Sequence, residues 1–569
     1  MKKISYIFLL LSVIYISCSK PIVGGEDPAD PSDPGIVITF DDGVLEYTVT
    51  NTTSNEISVK KLNDSCPSGD LIIPETVEYN DETYTVTGID AEGFYLCFEL
   101  TRVVIPDTVT TLGESAFGEC TSITNINIPT GATNLSEGLF ASCRSLQSIT
   151  IPTNITSIDK AVFYDCSSLD NVTIPSSVAN ENMGTAVFGL CASLTNVTFP
   201  DSFTTIPDET FYNCNSLKQY AIPSNIKTIG ERAFYECGVL EEISASEGLE
   251  DIQENAFGSC INLKSIALPN SVVNIRTRAF QDCNVLENLT LSNKLQSIGE
   301  EAFYNCFDLN SIRIPNTVAI IGKGAFKACI GLENVEIQNG IQSLPEELFA
   351  GDEKIKSIIV PESVVSIGNS AFYGCEELKT VALTNSITTI GNSVFGACAQ
   401  LENLTLPSGL TTISNSLFYN CHSLQNVTIP TSVNTIEANA FAGCYALSAI
   451  DIPNGVTEIS QTTFWNCNSL TKVIIPESVT TLKYRCFYQA NVLTDVTIPS
   501  SVTSIEDEAF GLCGSLKNMT VQIASPLTID ENVFENVTLS NSILKVPSSS
   551  VSTYQNTNVW KDFGTITSL

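Results

Sequence analysis

Residues Cys421–Gly443 read CHSLQNVTIPTSVNTIEANAFAG, and this 23-residue phrase recurs from about residue 94 to residue 520. Counted from the Cys as position zero, nineteen units can be phased, at 97, 120, 143, 166, 191, 214, 237, 260, 283, 306, 329, 352, 375, 398, 421, 444, 467, 490 and 513. The step is 23 throughout except between Cys166 and Cys191, where two extra residues enter around Asn180 to Gly184. A Phe stands three residues before every zero position, from Phe94 to Phe510. A Leu or Ile stands three residues after it, from Leu100 to Leu516. Such a fixed period is the mark of a solenoid.

The residue types follow from the need of each unit for its neighbours. One unit cannot bury its own apolar face, but stacking at the strand spacing of roughly 4.8 Å merges many marginal pieces into one core. In the quoted unit Leu424, Val427 and Ile429 are separated by polar residues, as a strand with one buried face requires. Pro430 supplies no N–H to a ladder and should end that strand. Val433 and Ile436 should point inward from the returning segment, and Ala440, Phe441 and Cys444 should close the coil. The Phe rings, stacked in register, are expected to form a spine.

These positions together give the pattern L-x-x-I-x-I-P-x-x-V-x-x-I-x-x-x-A-F-x-x-C, and at them the chain resembles the BspA-like leucine-rich repeats. The resemblance covers about three-quarters of the chain, with the period and most pattern positions agreeing together. It implies a curved, right-handed β-rich solenoid, a leucine-rich repeat superhelix with a parallel sheet along one side. It also implies surface display and adhesion to host or neighbouring cells.

Net charge is −36, from 27 Lys plus Arg against 63 Asp plus Glu. That field repels phosphate backbones, which argues against nucleic acid as a partner, and it favours solubility and basic partners. Of the 20 Cys, all but Cys18, Cys66 and Cys486 occupy the repeat position, while Asp352 and Ala490 fill that position in two units. Unpaired gaps of this kind argue against a disulfide framework and for buried thiols acting as small hydrophobes. Disulfides between neighbouring coils are the alternative, since adjacent Cα atoms would lie within bonding range. A zinc site is excluded by the absence of any C-x-x-C pair and by a single His, His422.

In chain order, residues 1–18 (MKKISYIFLLLSVIYISC) join two Lys to an apolar run too short to span a bilayer permanently. They read as an export signal, and Tyr15-Ile16-Ser17-Cys18 resembles a lipobox, with Cys18 as the lipid anchor and Tyr15 departing from the usual Leu. Plain secretion is the rival reading. Residues 19–35 are rich in Pro, Asp and Gly and read as an extended tether. Residues 36–93 read as a β cap, with a hairpin turning at Asp41-Asp42-Gly43, followed by an irregular first coil. The repeats occupy 94–520. Residues 521–569 read as a degenerate coil and a closing cap, with Trp560 as a plug. Within the array, the insertion near Met183 should bulge to one side. The coil leading into Asp352 lacks its strand Pro, with Gln338 in its place, and at Ala490 the nearest thiol, Cys486, stands four residues upstream.

No catalytic constellation breaks the repeat. His422 occupies a variable turn position, and no G-x-S-x-G, phosphate-cradling Gly loop or H-E-x-x-H occurs. The chain reads as non-enzymatic, without cofactor or metal, and monomeric. Two surfaces remain available for binding. The outward strand residue seven after the Cys is often Thr (Thr150, Thr173, Thr198, Thr290, Thr405, Thr428, Thr497), interrupted by Arg313 and Glu336. The residue two before the Cys is aromatic in many units (Tyr95, Tyr164, Tyr212, Tyr235, Tyr304, Tyr373, Tyr419, Trp465, Tyr488) and should point away from the core. Such a rim either contacts a partner or covers the backbone of the neighbouring coil. Tyr212 with Tyr235 and Trp465 with Tyr488 lie on adjacent coils and form the candidate binding rim. The expected protein is an exported adhesin anchored by lipid to the outer membrane or cell surface, binding an extracellular protein or glycan. Its alternatives are a glycan-binding lipoprotein of a nutrient-uptake system and a structural spacer.

Overall fold

In the computed structural model, which describes residues 37–569, each repeat makes one turn, and most turns contribute two short strands to two separate ladders. The first ladder is built from the strand after the Leu: Asn288–Thr290 lies parallel to Ser265–Ala267. Pairing is in register, so like residues meet, as in Asn171 opposite Asn196 and Thr173 opposite Thr198. The second ladder is built from the returning segment, where Ser297–Ile298 pairs in parallel with Asn274–Ile275 on one side and Ile320–Ile321 on the other. The sheet expected along one side is therefore accompanied by a second column of two-residue strands. Cys18 and residues 19–35, read as anchor and tether, lie outside the described residues.

The interior is the stack of the repeat's apolar positions. Leu424, Val433, Ile436, Ala440, Phe441 and Cys444 are all buried. Val427 and Ile429 of this coil stay half-buried, whereas their equivalents Val172 and Ile174 are buried. From Phe94 to Phe188, and again from Phe211 to Phe534, successive rings are 4.9 to 6.1 Å apart and within 21° of parallel. The spine is broken once: in place of a Phe188–Phe211 stack, Phe199 meets Phe211 edge-on at 6.3 Å. Offset stacks of this kind add about 0.5–1.5 kcal/mol each beyond burial.

The Cys column carries a second regularity. Each free thiol of the column donates to the carbonyl of the Phe one coil back, as Cys283 Sγ does to Phe257 O at 3.3 Å, while its amide, except at Cys329, donates to the Phe of its own coil, for Cys283 also at 3.3 Å. A buried carbonyl inside the solenoid thus receives two donors. Each coil also needs two tight corners, and the residues there take left-handed backbone angles, such as Arg278 (φ 52°) and Asp282 (φ 58°).

The N-terminal cap starts both ladders. Strands β1 (Thr39–Asp41) and β2 (Leu45–Asn51) form an antiparallel hairpin whose turn is held by the Asp42 carboxylate, which accepts the Val44 and Leu45 amides at 2.9 and 2.8 Å. Strand β3 (Glu56–Lys61) joins β2 antiparallel and β6 (Glu82–Ile89) parallel, and β6 pairs on with Thr111–Leu112 in the return ladder. Strand β4 (Gly69–Ile72) pairs with Leu100–Val104 and opens the other ladder, while β5 (Thr76–Tyr79) closes the edge against β6.

One cysteine expectation is corrected here. Cys97, although it stands in the repeat position, is bonded to Cys66 with a Cα separation of 5.1 Å. It is the first of its column, with no thiol-bearing coil before it, and it faces the irregular coil instead. The other repeat cysteines and Cys486 are free and buried. The insertion after Cys166 bulges only at Glu181 and Asn182; Met183 turns inward and is buried. At the C-terminus Phe534 continues the ring column, and Trp560 closes it edge-on at 6.2 Å, its indole N–H donated to Leu527 O at 2.8 Å.

Candidate binding surface

The strand ladder presents its outward residues to solvent without another element over them. Thr150, Thr173, Thr198, Thr290, Thr405 and Thr428 are exposed, and Thr497 is half-buried. Asn side chains form a neighbouring column, in which Asn426 Nδ2 donates to Asn403 Oδ1 at 2.9 Å. Strand alternation fixes this pattern, because the residues between these columns must fill the core.

The face changes character in the middle of the array. Arg313 and Glu336, on paired strands, form an ion pair at 3.2 Å, and one coil further Ile359 stands 73% exposed in the same column. Lys356 pairs with Glu333 at 3.1 Å beside them. A shallow depression of about 510 Å³ opens between Thr290, Asn293, Arg313 and Glu336. Reading by type missed Ile359, and likewise Ile474 in the same column, since β-branched residues suit a strand on either face; only their phase, seven after positions 352 and 467, marks them as outward.

The aromatic rim is less open. Tyr212 and Tyr235 stack at 6.0 Å and 4°. The Arg232 guanidinium lies over both rings, at 5.3 and 4.8 Å, and pairs with Glu209 at 3.0 Å. Burial, and then the Glu236 carboxylate, push the Tyr212 phenol up to about 12. Trp465 and Tyr488 occupy matching positions of neighbouring coils without stacking on each other; Arg485 lies over Tyr484 and Tyr488 instead, at 4.8 and 4.6 Å. Except for Tyr373, the rim aromatics are only part-exposed.

What lies beneath several of these rings is glycine. A Cβ added at Gly118, Gly189, Gly258, Gly396 or Gly511 would come within 2.7–3.0 Å of the ring of Tyr95, Tyr164, Tyr235, Tyr373 or Tyr488, respectively. Each ring therefore covers the backbone of the next coil. The signal was present in the sequence as a Tyr followed, one repeat later, by a Gly at the same position.

His422 is exposed and stacks on Tyr445 of the next coil at 4.5 Å. Among the described residues there is no cluster of three potential metal ligands, and no helix is long and apolar enough to cross a membrane.

Comparison with solved structures finds a leucine-rich cell surface protein from Faecalibacterium prausnitzii, 29% identical over 69% of this chain and 94% of that one, with a TM-score of 0.41. A leucine-rich repeat protein from Bacteroides ovatus is 22% identical over 93% of this chain and 99% of that one (TM-score 0.31). The pneumococcal vaccine antigen PcpA is 13% identical over 94% and 98%, respectively (TM-score 0.21). No curated protein is similar at a significant level. The family model described as BspA type leucine rich repeat region (6 copies) matches residues 87–218, 204–333, 319–448 and 434–559 in overlapping stretches. With that match extending from the first regular coil into the C-terminal cap, the chain belongs to the BspA-type leucine-rich repeat family.

Proposed function

We propose that this chain is a non-enzymatic, surface-displayed binding protein, adhesin-like in role, whose solenoid presents its strand face to an extracellular macromolecule. Export and anchoring through a lipid on Cys18 belong to the same reading and rest on the charged-then-apolar N-terminal run. The observation that carries the reading is the uncovered strand face, where Arg313, Glu336 and Ile359 interrupt the Thr column around a shallow depression. Exposed apolar area beside paired charges and a depression is the composition of a partner contact. The rim of Tyr212, Tyr235, Trp465 and Tyr488 is a second, subsidiary contact strip.

The test is a binding screen of the purified chain against extracellular-matrix proteins and a glycan array. Saturable binding to a protein, weakened at least tenfold by Ile359→Asp and by Arg313→Glu, supports the reading. Weakening by Trp465→Ala and Tyr488→Ala alone moves the contact to the rim. Binding to glycans alone, or to nothing, overturns it.

A further inference from the structure

The thiol column contains one rung of a different chemistry. Asp352 occupies the Cys position with its side chain fully buried. Its Oδ1 accepts the Cys329 amide at 2.7 Å, and its Oδ2 has no hydrogen-bond partner. In a regular coil that amide would go to the Phe three residues earlier, as Cys306 N goes to Phe303 O at 3.3 Å. The diverted bond leaves the Phe326 carbonyl without its own-coil donor. Position 352 also lacks the thiol that would supply the second donor. One residue change has thus left two buried acceptors, Oδ2 and the Phe326 carbonyl, each without a donor, and burying such groups unpaired is costly.

A single proton resolves both. We propose that Asp352 is a neutral carboxylic acid in the folded chain, donating its Oδ2 proton to the Phe326 carbonyl in place of the missing thiol. Its ionisation when the coil opens then makes the turns from Cys329 to Cys375 a pH-sensitive weak point of the solenoid. The titratable groups facing it are thiols: Cys329 from the coil before and Cys375 from the coil after, the latter donating to Phe349 O at 3.3 Å. Its chain neighbours Glu353 and Lys354 point to solvent, and Asp352 takes part in no ion pair among the described residues. Burial, the largest influence, and then Cys329 raise the carboxyl well above its ordinary value; the Cys329 amide alone opposes them.

The direction of the pH effect follows. A carboxyl raised in the folded state stabilises fully below its unfolded value of about 4, and that contribution is lost as pH climbs toward the folded value. Within this window local opening becomes more frequent by up to about tenfold per pH unit. The affected turns carry Glu336 and Ile359 on their outer face, so the patch proposed for binding sits on the part of the array that acid stiffens.

Hydrogen exchange of the full chain, followed by mass spectrometry and corrected for intrinsic rates, tests this at about pH 5 and about pH 7.5. Wild type is compared with Asp352→Asn, whose amide accepts at Oδ1 and donates at Nδ2, and with Asp352→Cys, which restores the thiol. Peptides covering residues 326–355 of the wild type should open at least about tenfold more often at the higher pH, with no such change in either variant. Peptides of the coils from Phe257 to Cys306 serve as the internal control, and should Asp352→Asn fail to fold, Asp352→Cys carries the comparison. An equal pH response in wild type and variants overturns the proposal. So does an infrared difference spectrum, wild type minus Asp352→Cys at neutral pH, that lacks the C=O stretch of a protonated carboxyl group.

Discussion

Cys120 Sγ lies 3.1 Å from the carbonyl oxygen of Phe94, one coil back, and donates its S–H to it. The contact repeats with the period of the chain, as from Cys260 to Phe234 at 3.1 Å and from Cys513 to Phe487 at 3.1 Å. It accounts for Cys at this corner in most coils, the site being small, dry and provided with a carbonyl in need of a donor; Ala490 fills the space without supplying that donor. The same burial silences the thiols as nucleophiles, and pushes Cys237, Cys467 and Cys513 up to about 12.

Two outcomes follow for the seventeen free cysteines among the described residues. Iodoacetamide at about pH 8 should label none of them in the folded chain and all of them after denaturation, with Cys66 and Cys97 labelled only after reduction. Because folding holds protons that the unfolded chain releases, stability should be complete below the unfolded thiol value of about 8.5 and fall steeply as pH rises above it. Urea midpoints between about pH 7 and pH 10 measure this; a flat profile would contradict the buried-thiol column.

The disulfide acts at one end only. It closes a 31-residue separation between the irregular coil and the first regular one. On chain-entropy grounds a loop of this size contributes about 3–4 kcal/mol. Cys66→Ser should therefore raise exchange in the cap strands β2, β3 and β6 by two orders of magnitude or more, and leave the coils beyond Cys143 unchanged, since each coil contacts only its neighbours.

The rim offers a sharper steric test. A Cβ at Gly258 would sit 2.8 Å from Tyr235 Cδ2, and the ring is held from its other side by Arg232 and Tyr212. Gly258→Ala should destabilise the neighbouring coils by about 1–3 kcal/mol through overpacking. Adding Tyr235→Ala should recover part of that loss; the double mutant being as unstable as the sum of the singles would show that ring and glycine are not coupled.

The period made the architecture legible, because Phe, Leu and Cys recur at fixed phase and only a solenoid keeps them on one inner surface. Partners lying one repeat away were less legible. The acceptor of a column thiol lies 26 residues back, as Phe94 does from Cys120, or 28 across the insertion, as Phe163 does from Cys191, and nothing in the type of residue announces a carbonyl. Cys97 looked like its column because its partner, Cys66, lies in a coil that does not follow the pattern. Exposed Ile359 was hidden for the opposite reason: it obeys strand propensity while breaking the outward column. The return ladder was obscured by its brevity, since two extended residues such as Thr228–Ile229 leave no alternation to read.

The insertion after Cys166 shows how a side chain can stand in for a strand. Here the return ladder is interrupted, with only an isolated bridge between Ile158 and Met183 before it resumes at Thr205–Ile206. Asn180 fills the gap: its Oδ1 accepts the Thr204 and Thr205 amides at 2.9 and 2.8 Å, and its Nδ2 donates to Thr205 O at 3.1 Å. These are ladder bonds made by an amide side chain. Asn180→Ala leaves three backbone groups short of a partner and should cost about 2–4 kcal/mol locally, seen as faster exchange at Thr204 and Thr205. Asn180→Asp keeps the acceptor and loses only the donor, so its effect should be about half as large. If alanine and aspartate are equally harmful, the two amide-to-Oδ1 bonds are not what holds the ladder across the insertion.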